Sequence, residues 1–278
     1  MNQIIKTIII KIAGFNIKIE LYHEEQTFFR QKFLKMLNYY SPFFINSKKK
    51  PDFIIKVKGT PMVDFLIKKK GEIEKLYKIS SVFYPNKKTV FINYFISQAE
   101  FEIIIKKILS EYLLVNNGFL IHGSACLFDN YVLIFLGQSG AGKSTITKIL
   151  KPKMKILADD IFIIRKINDQ IFFFQTPFHE KNWQFKRSLK PYLIKAFFIL
   201  EKSKDTKLLV LKNKVKKLNY FLNQLLINKK TITKYETTII KELVNKIPFY
   251  LLKFSLNKNK ILEKLKILTT PPTSTGDT

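Results

Sequence analysis

Gly137-Gln138-Ser139-Gly140-Ala141-Gly142-Lys143-Ser144-Thr145 is the stretch on which the reading of this chain turns. It fits the phosphate-binding pattern G-x-x-x-x-G-K-[ST], which has meaning only between a strand and a helix. Both neighbours are present. Tyr131-Val132-Leu133-Ile134-Phe135-Leu136 is a short apolar run rich in β-formers, and Ile146-Thr147-Lys148-Ile149-Leu150 carries on as a helix. In such a P-loop the glycines let successive backbone N–H groups turn into one concavity, and the helix start adds its partial positive charge. The residues from Gly137 to Thr145 are therefore expected to cradle the phosphates of a nucleoside triphosphate. Lys143 would reach the β- and γ-phosphates and Ser144 would ligate Mg²⁺.

Downstream, Met154-Lys155-Ile156-Leu157-Ala158 reads as an apolar strand that ends in Asp159-Asp160. A strand end bordering a P-loop is where a metal-holding acid belongs, since Mg²⁺ takes hard oxygen ligands. Two acids allow two roles, one orienting the metal and the other taking a proton from an attacking hydroxyl. Upstream, His122 lies in Leu120-Ile121-His122-Gly123-Ser124-Ala125. A hairpin turn at Asp129-Asn130 would bring it to the neighbouring strand, in reach of Asp159.

The sequence, 278 residues long and 46% hydrophobic, has room for one large domain or two small ones with a packed core. No apolar run approaches the roughly 18 residues of a membrane span, and Lys6 and Lys11 interrupt the N-terminal stretch, so neither a transmembrane helix nor a secretory signal is expected. The lone Cys126 excludes an internal disulfide and fits a reducing cytoplasm. The net charge of +28 raises nucleic acid as a partner. Only Arg30, Arg165 and Arg187 among the 49 basic residues are arginine, however, and base and phosphate readout favours the arginine fork. The lysines, Lys48-Lys49-Lys50 and Lys68-Lys69-Lys70 included, are read as solvated surface, and dedicated nucleic-acid binding is not expected.

Residues 1–115 read as a small α+β unit. Ile4–Ile12 and Phe15–Leu21 form paired strands around Gly14, Gln26–Leu37 an amphipathic helix, and Phe53–Val57 and Val82–Phe95 further strands, the last interrupted by a turn at Pro85-Asn86. Ser97–Leu114 follows as a helix with Phe101, Ile104, Ile105, Ile108, Tyr112 and Leu113 on one face. Residues 116–268 alternate between strands and helices: Leu120–Leu127, the strand and helix around the P-loop, Lys155–Arg165, Ile171–Gln175, Ala196–Leu200, helices over Val215–Asn228 and Thr238–Asn245, a late edge strand from Pro248 to Phe254, and a closing helix over Lys258–Leu268. That order predicts an α/β domain with a mixed sheet flanked by helices. Thr269–Thr278 reads as a disordered tail.

His122-Gly123, the P-loop and Leu157-Ala158-Asp159-Asp160 together resemble the catalytic domain of HPr kinase/phosphorylase, and more closely the HPr-kinase-like proteins found beside peptide-modification cassettes. The likeness extends to Thr176-Pro177-Phe178, to Ala196–Glu201 and to Ile247–Phe254. It implies a fold akin to phosphoenolpyruvate carboxykinase and ATP/Mg²⁺-dependent phosphorylation of serine hydroxyls. The leading reading is therefore a kinase for a serine or threonine hydroxyl of a peptide or small protein, the alternatives being a P-loop ATPase or nucleotide-binding module with no phosphoacceptor, or a nucleic-acid-associated P-loop protein. Carried over, the resemblance makes Asp159 the base with His122 in support, and Ser144 and Asp160 the metal ligands. The Glu-x-Arg-Gly segment of true HPr kinase/phosphorylases is absent, which argues against phosphorylase activity and against HPr as acceptor. Glu180, just after Thr176-Pro177-Phe178, is an additional candidate metal carboxylate, with a solvated loop acid as the plainer reading.

Overall fold

A computed structural model describes residues 4–22, 31, 34–35, 37–57, 89–92, 98–178, 186–227 and 232–266. The chain divides into two compact units: Met1–Gly118 with Phe174–His179 and Arg187–Lys190, and Phe119–Phe173 with Glu180–Lys186 and Pro191–Thr278.

In the first unit, β1 (Ile4–Ile12) and β2 (Phe15–Tyr22) pair antiparallel across Ala13 and Gly14. Both turn residues have positive φ, 50° and 90°, the conformation whose twist matches a tight hairpin. β3 (Phe53–Val57) and β4 (Thr89–Ile92) extend the sheet in parallel, in the order β1-β2-β3-β4. Alternate residues of β2, among them Ile17, Ile19 and Leu21, are buried, as the period of a strand demands. Helix α1 (Gln98–Leu114) buries Phe101, Ile104, Ile105, Ile108 and Leu113 along one stripe, and its Tyr112 ring lies 4.9 Å from those of Phe15 and Phe53. That helix therefore carries the apolar face expected of it, with Leu109 added. Of the Gln26–Leu37 and Val82–Phe95 readings, most residues lie outside those described, as do Lys68-Lys69-Lys70 and Thr269–Thr278.

The strands of the second unit build one mixed sheet. Its described members are β5 (Gly118–His122), β6 (Ser124–Phe128), β7 (Tyr131–Leu136), β8 (Lys155–Ala158), β9 (Ile161–Ile167), β10 (Gln170–Phe174), β11 (Tyr192–Lys202), β12 (Lys207–Val210) and β13 (Phe249–Phe254). The order runs β5-β9-β10-β11-β7-β6-β8, and β13 branches from β11 to carry β12. At the centre β7, β11 and β13 are parallel and almost continuously apolar, because helices cover both faces. Phe198 and Leu200 of β11 turn to one face, where they join Phe135 of β7, Ile146 and Leu150 of α2 (Lys143–Leu150), and Ile261 and Leu265 of α5 (Lys258–Lys266). Phe197 turns to the other, 5.7 Å from Phe221 of α3 (Lys214–Leu222). Helix α4 (Lys234–Lys246) starts from a capping box in which the Thr233 side chain and Glu236 each satisfy the other's backbone N–H.

Several expectations are corrected. The single strand over Leu120–Leu127 is two strands broken at Gly123, where a Cβ would stand 3.0 Å from the Phe135 carbonyl oxygen and from the Phe162 ring. The strand over Lys155–Arg165 breaks at Asp159-Asp160, so both acids occupy a turn between β8 and β9. The helix begun near Val215 stops at Leu222, and Leu225 instead bridges to Ile121. The Pro248–Phe254 strand is not an edge, since β12, which the sequence did not announce, pairs along it.

Candidate active site

The parallel strands β7 and β11 end on the same side of the sheet, and the Gly137–Gly142 loop leaves β7 there to start α2. Ligand crevices in α/β sheets form at this end. Two glycines fix the loop's path. Gly142 caps α2 at φ 102°, a left-handed conformation, and a Cβ there would meet the Phe254 ring at 2.7 Å. Gly140 has φ 81° with open space beside it.

A cleft of about 460 Å³ opens above the loop, lined by His122, Ser139, Gly140, Gly142, Lys143, Ser144, Thr145, Asp159, Asp160 and Lys202. Most of the residues singled out in the sequence thus face one space. Gln138 reaches the site through its backbone: its carbonyl accepts from Lys143 Nζ at 3.2 Å, alongside the Gly137 carbonyl at 2.7 Å. These bonds hold the buried Lys143 ammonium against the loop. Desolvation lowers its pKa from the ordinary 10.5, opposed by the nearby carboxylates of Asp160 and Asp159.

The two aspartates have different surroundings. Asp159 is buried, and its Oδ1 accepts from the Thr147 hydroxyl at 3.0 Å, one turn into α2. Asp160 is open, its side chain 48% exposed, and His122 Nε2 stands 3.3 Å from its Oδ1 with the imidazole 38% exposed. His122 was expected to support Asp159; its side-chain contact here is with Asp160. The cause is local. The backbone N–H of Gly123 donates to the Asp160 carbonyl at 2.9 Å, which fixes the end of β5 against the turn at Asp160. His122 is held from its other side by its own N–H, which donates to the Gln224 carbonyl at 2.8 Å.

Glu180 lies outside the described residues. Thr176-Pro177-Phe178 belongs to the first unit, where the Arg187 guanidinium donates to the carbonyls of Pro177 and Phe178. Cys126 is free and buried in the core beneath α2, where burial pushes its thiol pKa up. Lys202 was missed. It is one lysine among many in the sequence, and only the end of β11 brings it to the cleft. Among the described residues no helix is long and apolar enough to cross a membrane.

Residues 96–265 match the family model described as SynChlorMet cassette protein ScmC. The chain belongs to the ScmC family. The matched span includes every cleft residue of this ScmC protein. No curated protein matches it. Among solved structures it is similar to the Hpr(Ser) kinase/phosphatase from Coxiella burnetii, at 12% identity and a TM-score of 0.32 over 54% of this chain and 94% of that one.

Proposed function

We propose that this ScmC protein is an ATP- and Mg²⁺-dependent kinase that phosphorylates a serine or threonine hydroxyl of a peptide or small protein. The observation that carries the reading is the His122–Asp160 pair at the cleft that also holds Lys143 and Ser144. A phosphate site alone serves many chemistries, whereas an open carboxylate backed by a histidine beside it supplies a place for an acceptor's proton.

The donor set fits a magnesium ion bound together with phosphates. Among the described residues no group of three or more His, Cys, Asp and Glu could hold a metal unaided. Ser144 and Asp159 offer hard oxygens beside the loop, and phosphate oxygens and water complete such a site. Mg²⁺, when bound, neutralises charge on the phosphates. The chain does the rest. Backbone N–H groups of Gly137–Thr145 receive the phosphates as a P-loop, and Lys143 leaves the loop carbonyls to contact them. Asp160 accepts the proton of the attacking hydroxyl as the oxygen–phosphorus bond forms; the bond from the γ-phosphorus to its bridging oxygen breaks, and that electron pair leaves with ADP. His122 positions the Asp160 carboxylate. Asp159, tied to Thr147, keeps the start of α2 in register with the turn.

This assignment exchanges the roles that the resemblance suggests for the two aspartates. Asp160→Asn is expected to keep Mg²⁺-ATP affinity near wild type in calorimetry while phosphotransfer falls about 10²–10⁴-fold. Loss of nucleotide binding in that variant would make Asp160 chiefly a metal ligand and return the base to Asp159.

A further inference from the structure

We infer that the outer edge of β12 docks an extended, acidic segment of the phosphoacceptor by strand addition; that the docked peptide is the acceptor rests on the kinase reading above. Among the described residues β12 pairs only with β13. Leu211 N–H donates to the Phe249 carbonyl at 2.8 Å, and the register Leu209↔Leu251 and Lys207↔Lys253 continues that alternation. Leu208 and Val210 therefore turn their N–H and C=O groups outward, as a template for another strand.

The edge is apolar as well as polar. Leu209 is 48% exposed, Val210 64% and Val215, just beyond, 67%. A groove of about 430 Å³ runs along it, lined by Thr206, Leu208, Val210, Tyr250 and Lys264 among others. Alternate side chains of an added strand would find apolar contact there.

Charge selects the occupant. Residues 202–217 contain seven lysines, at 202, 204, 207, 212, 214, 216 and 217, against a single acid, Asp205. A second copy of the chain would bring lysines against lysines, and edge lysines oppose that pairing. An acidic strand is attracted instead. Position supplies the link to the cleft. Lys202 lines the cleft, and only Ser203–Thr206 separate it from β12, with Thr206 Oγ1 3.0 Å from Ser255 Oγ at the end of β13. A peptide on β12 thus begins beside the cleft mouth.

The test uses the full chain and a fluorescein-labelled peptide of alternating Glu and Val, roughly ten residues long so that it spans a strand and its flanks. Anisotropy should show binding to the wild type at near-physiological salt and at least about tenfold weaker binding of the Lys/Val counterpart. Val210→Pro removes one outward N–H without touching the bonds to β13, and should weaken the Glu/Val peptide about tenfold, the worth of one or two backbone hydrogen bonds. Lys207→Glu with Lys212→Glu should weaken it comparably. Saturating peptide should slow amide exchange over residues 207–211 of the wild type, a readout that needs no variant to fold. Unchanged exchange there, equal binding of both peptides, tighter binding of a single-stranded oligonucleotide at this edge, or self-association of the chain through β12 would each overturn the proposal. Mg²⁺-ATP affinity should be the same in Val210→Pro as in wild type. Docking without phosphotransfer to any peptide overturns the kinase reading alone, and phosphotransfer to a natural acceptor unaltered by Val210→Pro overturns the docking alone.

Discussion

Thr147 donates its hydroxyl to the buried Asp159 carboxylate at 3.0 Å, tying the first turns of α2 to the turn that also carries Asp160. This side-chain bond holds the helix that starts at the glycine-rich loop against the turn after β8. Thr147→Val should therefore lower thermal stability by about 1–3 kcal/mol, because it leaves a buried carboxylate oxygen without its donor. Nucleotide affinity should fall with it. A Thr147→Ser variant that restores both in denaturation and calorimetry would assign the effect to the hydroxyl, and a Thr147→Val variant as stable as wild type would contradict the role.

Lys143→Ala should weaken Mg²⁺-ATP by about 10–100-fold, the scale of a lost charge-assisted hydrogen bond. The same ammonium bridges the Gly137 and Gln138 carbonyls, so the loop should also exchange its amides faster. Isothermal titration with Mg²⁺-ATP checks the first outcome, and hydrogen exchange over residues 137–142 the second.

The two positive-φ glycines of the loop should respond unequally to alanine. At Gly140 only the left-handed backbone is penalised, about 1–2 kcal/mol, since nothing lies within 4 Å of an added Cβ. At Gly142 the same strain is joined by a clash with the Phe254 ring at 2.7 Å. Thermal denaturation should rank Gly142→Ala well below Gly140→Ala, and equal midpoints would refute this account of the loop.

How much of this was legible in the sequence can be judged from these same residues. Tyr131–Leu136, the loop and α2 could be read because an apolar run, glycines and a helical run follow one another without a break. The cluster of His122, Lys143, Asp159 and Asp160 could be anticipated from the motif and its resemblance, but not the choice of Asp160 as the histidine's partner, which depends on the Gly123 N–H and so on a tertiary contact. Strand β12 was invisible because Lys-Leu-Leu-Val is too short to show a period. The same limit made Leu120–Leu127 look continuous, since a single glycine inside an apolar run does not reveal that its two sides join different neighbours in the sheet.

A surface network gives a pH test with a definite sign. Lys166 contacts Glu242 at 2.8 Å and Asp169 at 2.9 Å, and Lys246 contacts Glu242 at 2.8 Å, joining α4 to the β9–β10 turn. Hydrogen bonds from Lys166 and Lys246 lower the Glu242 pKa below its ordinary 4.5. A lowered carboxylate stabilises the fold above its unfolded pKa and loses that contribution as pH falls through the folded one. Glu242→Gln should thus lower the thermal midpoint slightly at neutral pH and match wild type at acid pH below the folded value. The difference should also shrink in high salt, since the network is partly open to solvent. A gap between the two proteins that widens in acid would contradict the assignment.

On the proposed kinase reading, in which the imidazole positions the carboxylate and takes no proton from the acceptor itself, His122→Ala should lower phosphotransfer less than Asp160→Asn does. Steady-state kinetics at saturating Mg²⁺-ATP should show the loss in kcat. A parallel rise in KM for ATP, with kcat unchanged, would place His122 in nucleotide binding instead.

The central claim is phosphoryl transfer at this cleft, and the measurement that meets it most directly is incubation of the full chain with γ-labelled ATP, Mg²⁺ and a library of small serine- and threonine-containing peptides, together with any short peptide that sequencing finds encoded beside its gene. The products would be followed by mass spectrometry with fragmentation. The account predicts one phosphate on a serine or threonine of one such peptide, formed by the wild type and nearly absent with Asp160→Asn. Release of free phosphate from ATP at the wild-type rate in both proteins, with no phosphopeptide in either, would contradict it.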